Sequence, residues 1–587
     1  MLRLRAGALA AVVAMLFVAC SGAATPAPSA STAPPASTVP SAPASAPASA
    51  PASASAVASP AGGTPVNGGT WIFGSASDPS TLDAILIQDG ESFRIAQQIY
   101  ETLIKLKAGS PSDLEPALAK SWDVSSDGLT YTFHLQTGVT FSDGTPFNAD
   151  AAVFNVNRWK NLPEALRGDD YYDITVFGGY GADSLIKAAT KVDDATFTMT
   201  LTKPKADFLT AMTLIPFAMQ SPKALADHNA DKGSKDTTND YWQKAPTGTG
   251  PFKFGEFVPG DHYTIVKNPN YWDTANAAHL DKVIFKPIAD SAQRLTALKS
   301  GTVDTIDFVD ANQLNDIKTD STLQLITRSP LDIGRLNINQ TVKPFDDINV
   351  RKAVSYAIDR KAIIDTFFPN GAGQAADSDL LPSMPAYEAN ATVTGFDLQK
   401  AKDALAASGC KAPCSIDFSY PDSVSRPYMV DPKGEFEAIR TMLEAAGFKV
   451  NPQHKPWKGG YLNDEAKGKY GLAFIGWIYD YADPADGPGI FYSTSLAKCG
   501  SLTPTTPHNC EAAEDNPAVA AGMAKAIAEP DTAKRTQDWK DVMKLINADV
   551  ADVPLVWAGS SLGLTAKIHG FVPSPTQTEY YNSVWKD

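Results

Sequence analysis

Two charged side chains of opposite sign, Arg426 and Asp480, each follow a strand of one predicted βαβαβ unit. Such units wind into a largely parallel sheet, and ligands of open α/β sheets bind just past the carboxyl ends of the strands. A guanidinium suits a carboxylate, and a carboxylate suits an ammonium. Both residues are therefore candidate ligand-binding groups. The hydrophobic spacing places the strands at 416–420, 448–453 and 472–477 and the helices at 435–446 and 461–466.

Two short motifs suggest ester or peptide hydrolysis and phosphate binding, but the residues that follow each motif do not fit these functions. Residues 559–563, Gly-Ser-Ser-Leu-Gly, match the G-x-S-x-G pattern of a hydrolase nucleophile elbow, which needs a helix directly after it. Residues 564–568 read as a strand instead. Gly248-Thr249-Gly250 resembles a phosphate cradle, but Pro251 lacks an amide donor and a strand follows. The sequence has no H-E-x-x-H motif. We expect no catalysis, no metal and no cofactor.

Four cysteines follow the N-terminal region: Cys410, Cys414, Cys499 and Cys510. An even number in an exported chain favours disulfides, and three pairings are possible. We favour the two local ones, Cys410 with Cys414 and Cys499 with Cys510. Zinc bound by Cys499, His508 and Cys510 is the alternative, although no fourth ligand is obvious.

The N-terminus has the pattern of a secretory signal, with Arg3 and Arg5 before an apolar run from 6 to 18. Ala19 and Cys20 close the run as in bacterial lipoprotein signals, so we expect Cys20 to become a lipidated N-terminus. An ordinary cleaved signal or an uncleaved anchor is the alternative. From 21 to about 66 the chain is almost entirely Ala, Pro, Ser and Thr, which predicts a disordered, extended tether.

The remaining part of the chain, about 520 residues, is long enough for two or three domains. Its hydrophobic runs are too short for a second membrane span. Lys plus Arg number 50 against 65 for Asp plus Glu, a net charge of −15. A field of this sign repels polyanions, so nucleic acid is excluded as a partner.

Six stretches carry a family resemblance across nearly the whole folded part. They are DPSTLDA near Asp78, IYETLIKL near Tyr100, the long run from Leu118 to Asn155, PTGTGPF from Pro246, INVRKAVSYAIDR from Ile348 and GWIYDYADP from Gly476. In this order they are similar to the dipeptide- and oligopeptide-binding proteins of ABC importers. The resemblance implies an α/β fold of the type II periplasmic-binding-protein kind, with two lobes and an extra domain inserted in the first.

The resemblance also implies domain limits. The signal peptide covers 1–19, and the lipidated Cys20 with its tether covers 20–66. The core of the first lobe takes 67–110, 212–334 and 555–587; the extra domain takes 111–211 and the second lobe 335–554.

Family peptide binders pair an aspartate of the GW-x-x-D stretch with the ligand's ammonium, and Asp480 matches that position. Asp483 is the alternative choice. Dipeptide binders clamp the ligand carboxylate with an arginine in an Arg-Pro-Tyr stretch, which Arg426 matches. Trp477, Tyr428 and Tyr481 are further candidate pocket residues.

The implied function is an extracytoplasmic, lipid-anchored and monomeric receptor that delivers short peptides to an ABC permease. The alternatives are another solute, such as an oligosaccharide, opine or metal chelate, or a secreted hydrolase or adhesive lipoprotein.

Overall fold

The computed structural model of the chain describes residues 63–587, apart from 234–235, 390–394, 423 and 493–515. Cys20, Cys499, His508 and Cys510 lie outside the described residues, and with them the predicted lipidation site, the second disulfide and the zinc alternative. Within the described ranges, no helix has the length and apolar character needed to cross a bilayer.

The strands build three larger sheets and two small pairs. Up to residue 330 they are β1 (Thr70–Ser75), β2 (Ile104–Leu106), β3 (Leu114–Pro116), β4 (Ala119–Val124), β5 (Thr130–Leu135), β6 (Ile186–Asp193), β7 (Thr196–Leu201), β8 (Phe252–Val258), β9 (His262–Lys267), β10 (Lys282–Pro287), β11 (Thr305–Ile306) and β12 (Leu323–Thr327). The later strands are β13 (Asp332–Ile338), β14 (Gly373–Ala375), β15 (Cys414–Asp422), β16 (Phe448–Pro456), β17 (Leu472–Ile478), β18 (Asp552–Ala558), β19 (Ser561–Thr565), β20 (Ile568–His569) and β21 (Trp585–Lys586).

Helices cover the sheets and connect their strands. They are α1 (Gly90–Ile99), α2 (Ala149–Lys160), α3 (Tyr172–Phe177), α4 (Phe208–Ala211), α5 (Pro222–Asp227), α6 (Tyr241–Lys244), α7 (Ser291–Lys299), α8 (Leu314–Lys318), α9 (Ile348–Ala357), α10 (Arg360–Phe367), α11 (Leu398–Ala407), α12 (Pro432–Ala446), α13 (Leu462–Ala466), α14 (Pro488–Phe491), α15 (Pro517–Ala528) and α16 (Thr532–Asp549).

Two mixed sheets define two lobes. The seven-stranded sheet of lobe 1 has the order β12-β19-β11-β1-β10-β9-β8, and the six-stranded sheet of lobe 2 has the order β14-β18-β13-β17-β15-β16. A four-stranded antiparallel sheet, β4-β5-β7-β6, forms with α2 and α3 what we call the extra domain. The lobe 1 sheet and the extra-domain sheet share one cluster of buried apolar side chains, and the lobe 2 sheet packs against another.

The predicted βαβαβ unit is confirmed. Strand β15 pairs in parallel with β16 and with β17. Helix α12, which connects β15 to β16, begins where Asp431 accepts a hydrogen bond from the backbone of Gly434, and it ends at Gly447 in a left-handed conformation. Its buried apolar face stabilises the sheet by about 1.5–3 kcal/mol per fully buried side chain. This face consists of Phe436, Ile439, Leu443 and Ala446.

The hydrophobic spacing from Phe93 to Leu103 predicts a helix over 91–106, but the helix in the structure is shorter. It ends at Ile99, and Ile104–Leu106 form strand β2. The backbone carbonyl of Ile99 accepts a hydrogen bond from the amide of Gly250, 2.9 Å away, so it does not continue the helical pattern. A side chain at Gly248 would lie 2.2 Å from the same oxygen. The glycines of the PTGTGPF stretch therefore allow its backbone to pack directly against the backbone at the end of helix α1.

The chain crosses between the lobes twice, at 328–331 and at 559–560, near the predicted lobe limits of 334 and 554. The domain limits stay a prediction. The two crossing segments lie side by side, since the Arg328 amide donates to the Ser560 carbonyl over 3.0 Å and its guanidinium to Ser560 Oγ over 2.7 Å. The G-x-S-x-G match thus lies at a crossing, and its Ser561 begins strand β19.

Close packing at this crossing leads to a stability prediction. A Cβ on Gly559 would lie 2.3 Å from the carbonyl oxygen of Arg328, whereas one on Gly90 would meet nothing within 4 Å. We expect Gly559→Ala to lower the free energy of unfolding by about 1–3 kcal/mol through overpacking, and Gly90→Ala to leave it nearly unchanged. Guanidinium-induced unfolding monitored by tryptophan fluorescence measures both. Equal midpoints for Gly559→Ala and the natural chain would contradict this packing.

Candidate functional site

A cavity of about 1170 Å³ lies between the two lobes. Its walls come from lobe 1 (76–91 and 289–314), the extra domain (166–169), lobe 2 (425–478) and the second crossing (559–561). Ligand pockets commonly have volumes of about 300–1,000 Å³, so this one has room for a large solute.

The wall formed by lobe 1 and the extra domain is acidic. The carboxylates that line it without a cationic partner among the described residues are Asp78, Asp89, Asp169, Asp290 and Asp310. Arg294 and Arg426 are the cationic side chains that the described residues contribute to the cavity. A negative wall of this kind disfavours a polyanionic ligand.

Arg426 lies on the lobe 2 side of this cavity, in a tight turn closed by mutual backbone hydrogen bonds of 2.9 Å with Met429. Its guanidinium sits over the ring of Trp457, 5.1 Å from the centroid. No carboxylate of the described residues forms an ion pair with it. A charged fork held by stacking and free of an internal anion can bind a carboxylate of a ligand.

Asp480 follows strand β17 and lines a second cavity of about 80 Å³, between lobe 2 and the extra domain. Its Oδ1 accepts a hydrogen bond from the hydroxyl of Tyr172 over 3.1 Å. Burial raises the pKa of Asp480 to about 7, and the bond from Tyr172 opposes this shift. Among the described residues no Lys, Arg or His pairs with it. Its backbone amide donates to Asp486 Oδ2 over 2.5 Å, which brings a second carboxyl group close.

Asp483, the alternative to Asp480, has a different environment. Arg535 binds both of its oxygens, at 2.6 and 2.7 Å. Its Oδ1 also accepts a hydrogen bond from the amide of Ala485. A carboxylate already neutralised by a guanidinium is a poor partner for a ligand cation, so the structure favours Asp480.

Arg426 and Asp480 line different cavities, although the sequence places each of them just past a strand of the same predicted unit. Ile478, two residues before Asp480, lines the large cavity, so the end of β17 borders both. Their joint role in binding stays a prediction.

The three aromatic candidates have distinct environments. Tyr428 is 3% exposed and packs against Gly476, where an added Cβ would lie 2.3 Å from its ring. Trp477 lines neither cavity; it contacts Phe491 edge-on with ring centroids 5.9 Å apart. Tyr481 lines the small cavity, and its hydroxyl donates to Asp207 Oδ2 over 2.9 Å.

Sequence reasoning missed Tyr172, the extra-domain residue that reaches Asp480. Its ring is held edge-on by Phe93 of helix α1, with centroids 5.6 Å apart, and by Tyr171 at 5.2 Å. It therefore joins lobe 1, the extra domain and lobe 2 at one point. The adjacent tyrosines in GDDYYD are the only local signal, and they do not indicate a partner more than 300 residues away.

The disulfide between Cys410 and Cys414 is confirmed, with the Cα atoms 5.4 Å apart. It connects the segment after α11 to the start of β15. Within the described part of the chain, no group of three or more His, Cys, Asp or Glu side chains is arranged to hold a metal ion.

Comparison with known proteins agrees with this architecture. The chain is 30% identical over 515 residues to heme-binding protein A of Haemophilus influenzae, covering 86% of this chain and 90% of that protein. It is 29% identical over 439 residues to the dipeptide-binding protein of Escherichia coli, covering 74% and 80%. The structure of the periplasmic binding protein DppA of Helicobacter pylori with the peptide STSA superposes with a TM-score of 0.73 at 26% identity, covering 89% and 98%.

The predicted fold class is confirmed, since the structural neighbours of this chain are type II periplasmic binding proteins of family 5. The profile described as bacterial extracellular solute-binding proteins, family 5 Middle, matches residues 113–498. The chain belongs to the family 5 extracellular solute-binding proteins.

Proposed function

We propose that this protein is the extracytoplasmic receptor of an ABC importer that captures short peptides between its lobes and delivers them to a membrane permease. Family membership supports the receptor role, and we infer that the protein itself catalyses nothing. Relatives named for dipeptide and di/tripeptide binding support the ligand class. The charged ligand-binding groups we propose are Asp480 and Arg426. Trp477, Tyr428 and Tyr481 are the aromatic residues that we propose for the pocket around them.

The carboxylate of Asp480 is the observation that carries this proposal. It is largely removed from water, yet no cation of the described residues neutralises it, and burial shifts its pKa toward neutrality. Placing an ammonium beside it would offset this desolvation with charge-assisted hydrogen bonds worth about 1.5–3 kcal/mol each. Every peptide with a free N-terminus supplies such a group. Asp486 places a second carboxyl group beside it, and burial together with the nearby Asp480 raises the pKa of Asp486 well above its ordinary value.

Arg426 supplies the complementary charge. Since the peptide termini and backbone are the features that all peptides share, a general peptide receptor must bind those groups. A guanidinium that faces the large cavity without an internal anion can bind the C-terminal carboxylate. Both residues belong to lobe 2, where it borders the large cavity and the extra domain, so a ligand held against this lobe would have to reach both.

The expected mechanism is a shift of population toward the closed form. Tyr172 and Asp207 of the extra-domain segment form hydrogen bonds with Asp480 and Tyr481 of lobe 2, so the two parts of the chain are in contact there. A ligand that touches both lobes favours closure by its higher affinity for the closed form.

The volume of the large cavity favours a second candidate, a solute bigger than a dipeptide. The similarity to a heme-binding protein supports the same candidate. Native mass spectrometry of the protein as purified distinguishes the two, because a retained ligand reveals its mass directly. A retained non-peptide mass would favour this second candidate.

We further propose that lipid on Cys20 anchors the protein to the outer face of the cell membrane. The basic start, the apolar run and the Ala-Cys pair support the anchor, and the Pro-rich tether would hold the lobes away from the bilayer. We propose that the protein acts as a monomer.

Peptide binding should weaken in acid if Asp480 binds the ammonium. The carboxylate must be ionised to bind an ammonium group. As the pH falls below the Asp480 pKa of about 7, the ionised fraction falls, and the affinity for Ala-Leu should decrease with a limiting slope of about tenfold per pH unit. The peptide α-amino group remains charged over this range. Calorimetry from pH 5 to 7 should show this slope for the natural chain and a flat, weak profile for Asp480→Asn. The exposed Asp403→Asn serves as control, and an unchanged slope in Asp480→Asn would reject the assignment.

Removing Arg426 should weaken binding only for peptides with a free carboxylate. We expect Arg426→Ala to lower affinity for Ala-Leu about 10- to 150-fold, which corresponds to one lost charged hydrogen bond, and to leave the weaker binding of Ala-Leu amide unchanged. Arg440→Ala, on the exposed face of α12, is the matched control. Calorimetry with both peptides measures the effect. Binding of Ala-Leu within twofold of the natural chain would refute the role of Arg426.

A further inference from the structure

Phe308 has an unusual backbone conformation and lines the large cavity. Its φ is 52°, in the left-handed region that bulky residues rarely adopt. The residue is partly exposed, and it belongs to none of the hydrophobic clusters that the described residues form. Its ring therefore does not serve as a core side chain, in contrast to its neighbour Val309.

A buried ion network holds this conformation. The amide of Phe308 donates to Asp307 Oδ1 over 2.7 Å. Asp307 is gripped by Arg328, at 2.7 and 2.9 Å, and by Arg94; all three charged side chains are 1% exposed. Burial acts to raise the pKa of Asp307, but the two guanidinium groups outweigh it and hold the pKa below its ordinary value. Strained backbone persists where its surroundings impose it, and it is concentrated at functional sites.

The strained residue belongs to an apolar part of the cavity wall. Val309, Ala311 and Leu314 line the cavity beside Phe308 on lobe 1. Lobe 2 contributes an apolar surface of its own from Val430, Trp457, Leu462 and Ile478. Leu462 is 36% exposed, a large apolar side chain left facing solvent.

Arg426 stands on this same lobe 2 surface, over Trp457. A ligand whose carboxylate reaches Arg426 would carry its neighbouring side chain into the apolar region between the lobes. An apolar side chain placed there would be removed from water, and a polar one would lose its hydration.

We propose that Phe308 is a specificity-determining residue that selects peptides with a large apolar side chain next to the C-terminal carboxylate. This inference rests on the proposed peptide-binding function. The ion network around Asp307 holds the ring at the cavity, and the adjacent apolar residues of both lobes complete the surface.

The test compares Ala-Leu with Ala-Ala by calorimetry. The natural chain should bind Ala-Leu at least tenfold more tightly. Phe308→Asn should reduce this preference to threefold or less while its affinity for Ala-Ala stays within twofold, because asparagine accepts the left-handed backbone but offers no apolar surface. Phe308→Leu keeps apolar surface and should retain most of the preference. Thermal unfolding of both variants checks the fold.

Two outcomes would overturn the inference while the proposed function stands. In the first outcome, Phe308→Asn keeps the full preference for Ala-Leu. In the second, it lowers the affinity for both peptides by the same factor. If the natural chain binds neither peptide, the proposed function fails and this inference fails with it.

Discussion

The half-buried carboxylate of Asp480, which no cation of the described residues neutralises, is the constraint on which the rest of the binding site depends. Removing a charge from water costs free energy, and the pKa of about 7 records that cost. A single hydroxyl bond from Tyr172 offsets part of it. The neighbouring Asp483 shows the contrast, since Arg535 neutralises it fully. The ammonium group of a ligand can bind the carboxylate of Asp480, whereas the carboxylate of Asp483 is already neutralised by Arg535.

Arg328 joins the two crossing segments to the wall of the large cavity. Arg328 lies at the first crossing, bonds Ser560 at the second, and grips Asp307 beneath Phe308. The same guanidinium also binds Glu579 of the C-terminal segment at 2.6 Å. One buried side chain therefore links the crossing segments to the cavity wall.

Much of lobe 2 could be predicted from the sequence because its signals are local. The βαβαβ spacing and the glycine at 447 act within a few residues, although the cap at Asp431 starts the helix at Pro432 and not at the predicted 435. In helix α9, too, the cap at Asp347 and the helical period of the buried side chains are local features. The disulfide between Cys410 and Cys414 joins residues only four positions apart.

The features that could not be predicted depend on contacts between residues that lie far apart in the sequence. Helix α1 ends at Ile99 because a glycine about 150 positions later takes its carbonyl. Tyr172 reaches Asp480 across 308 positions, and no sequence period reports such a contact. The family resemblance pointed to Arg426 and Asp480, but their separation into two cavities depends on how the lobes and the extra domain are arranged. The backbone of Phe308 is imposed by a network that includes residues from three segments.

A crystal structure of the protein with bound Ala-Leu is the most direct test of the central claim. The account predicts that the peptide ammonium lies within hydrogen-bond distance of the Asp480 carboxylate, with its own carboxylate at Arg426. A complex in which the ammonium is bound elsewhere, and Asp480 still meets only Tyr172, would contradict it.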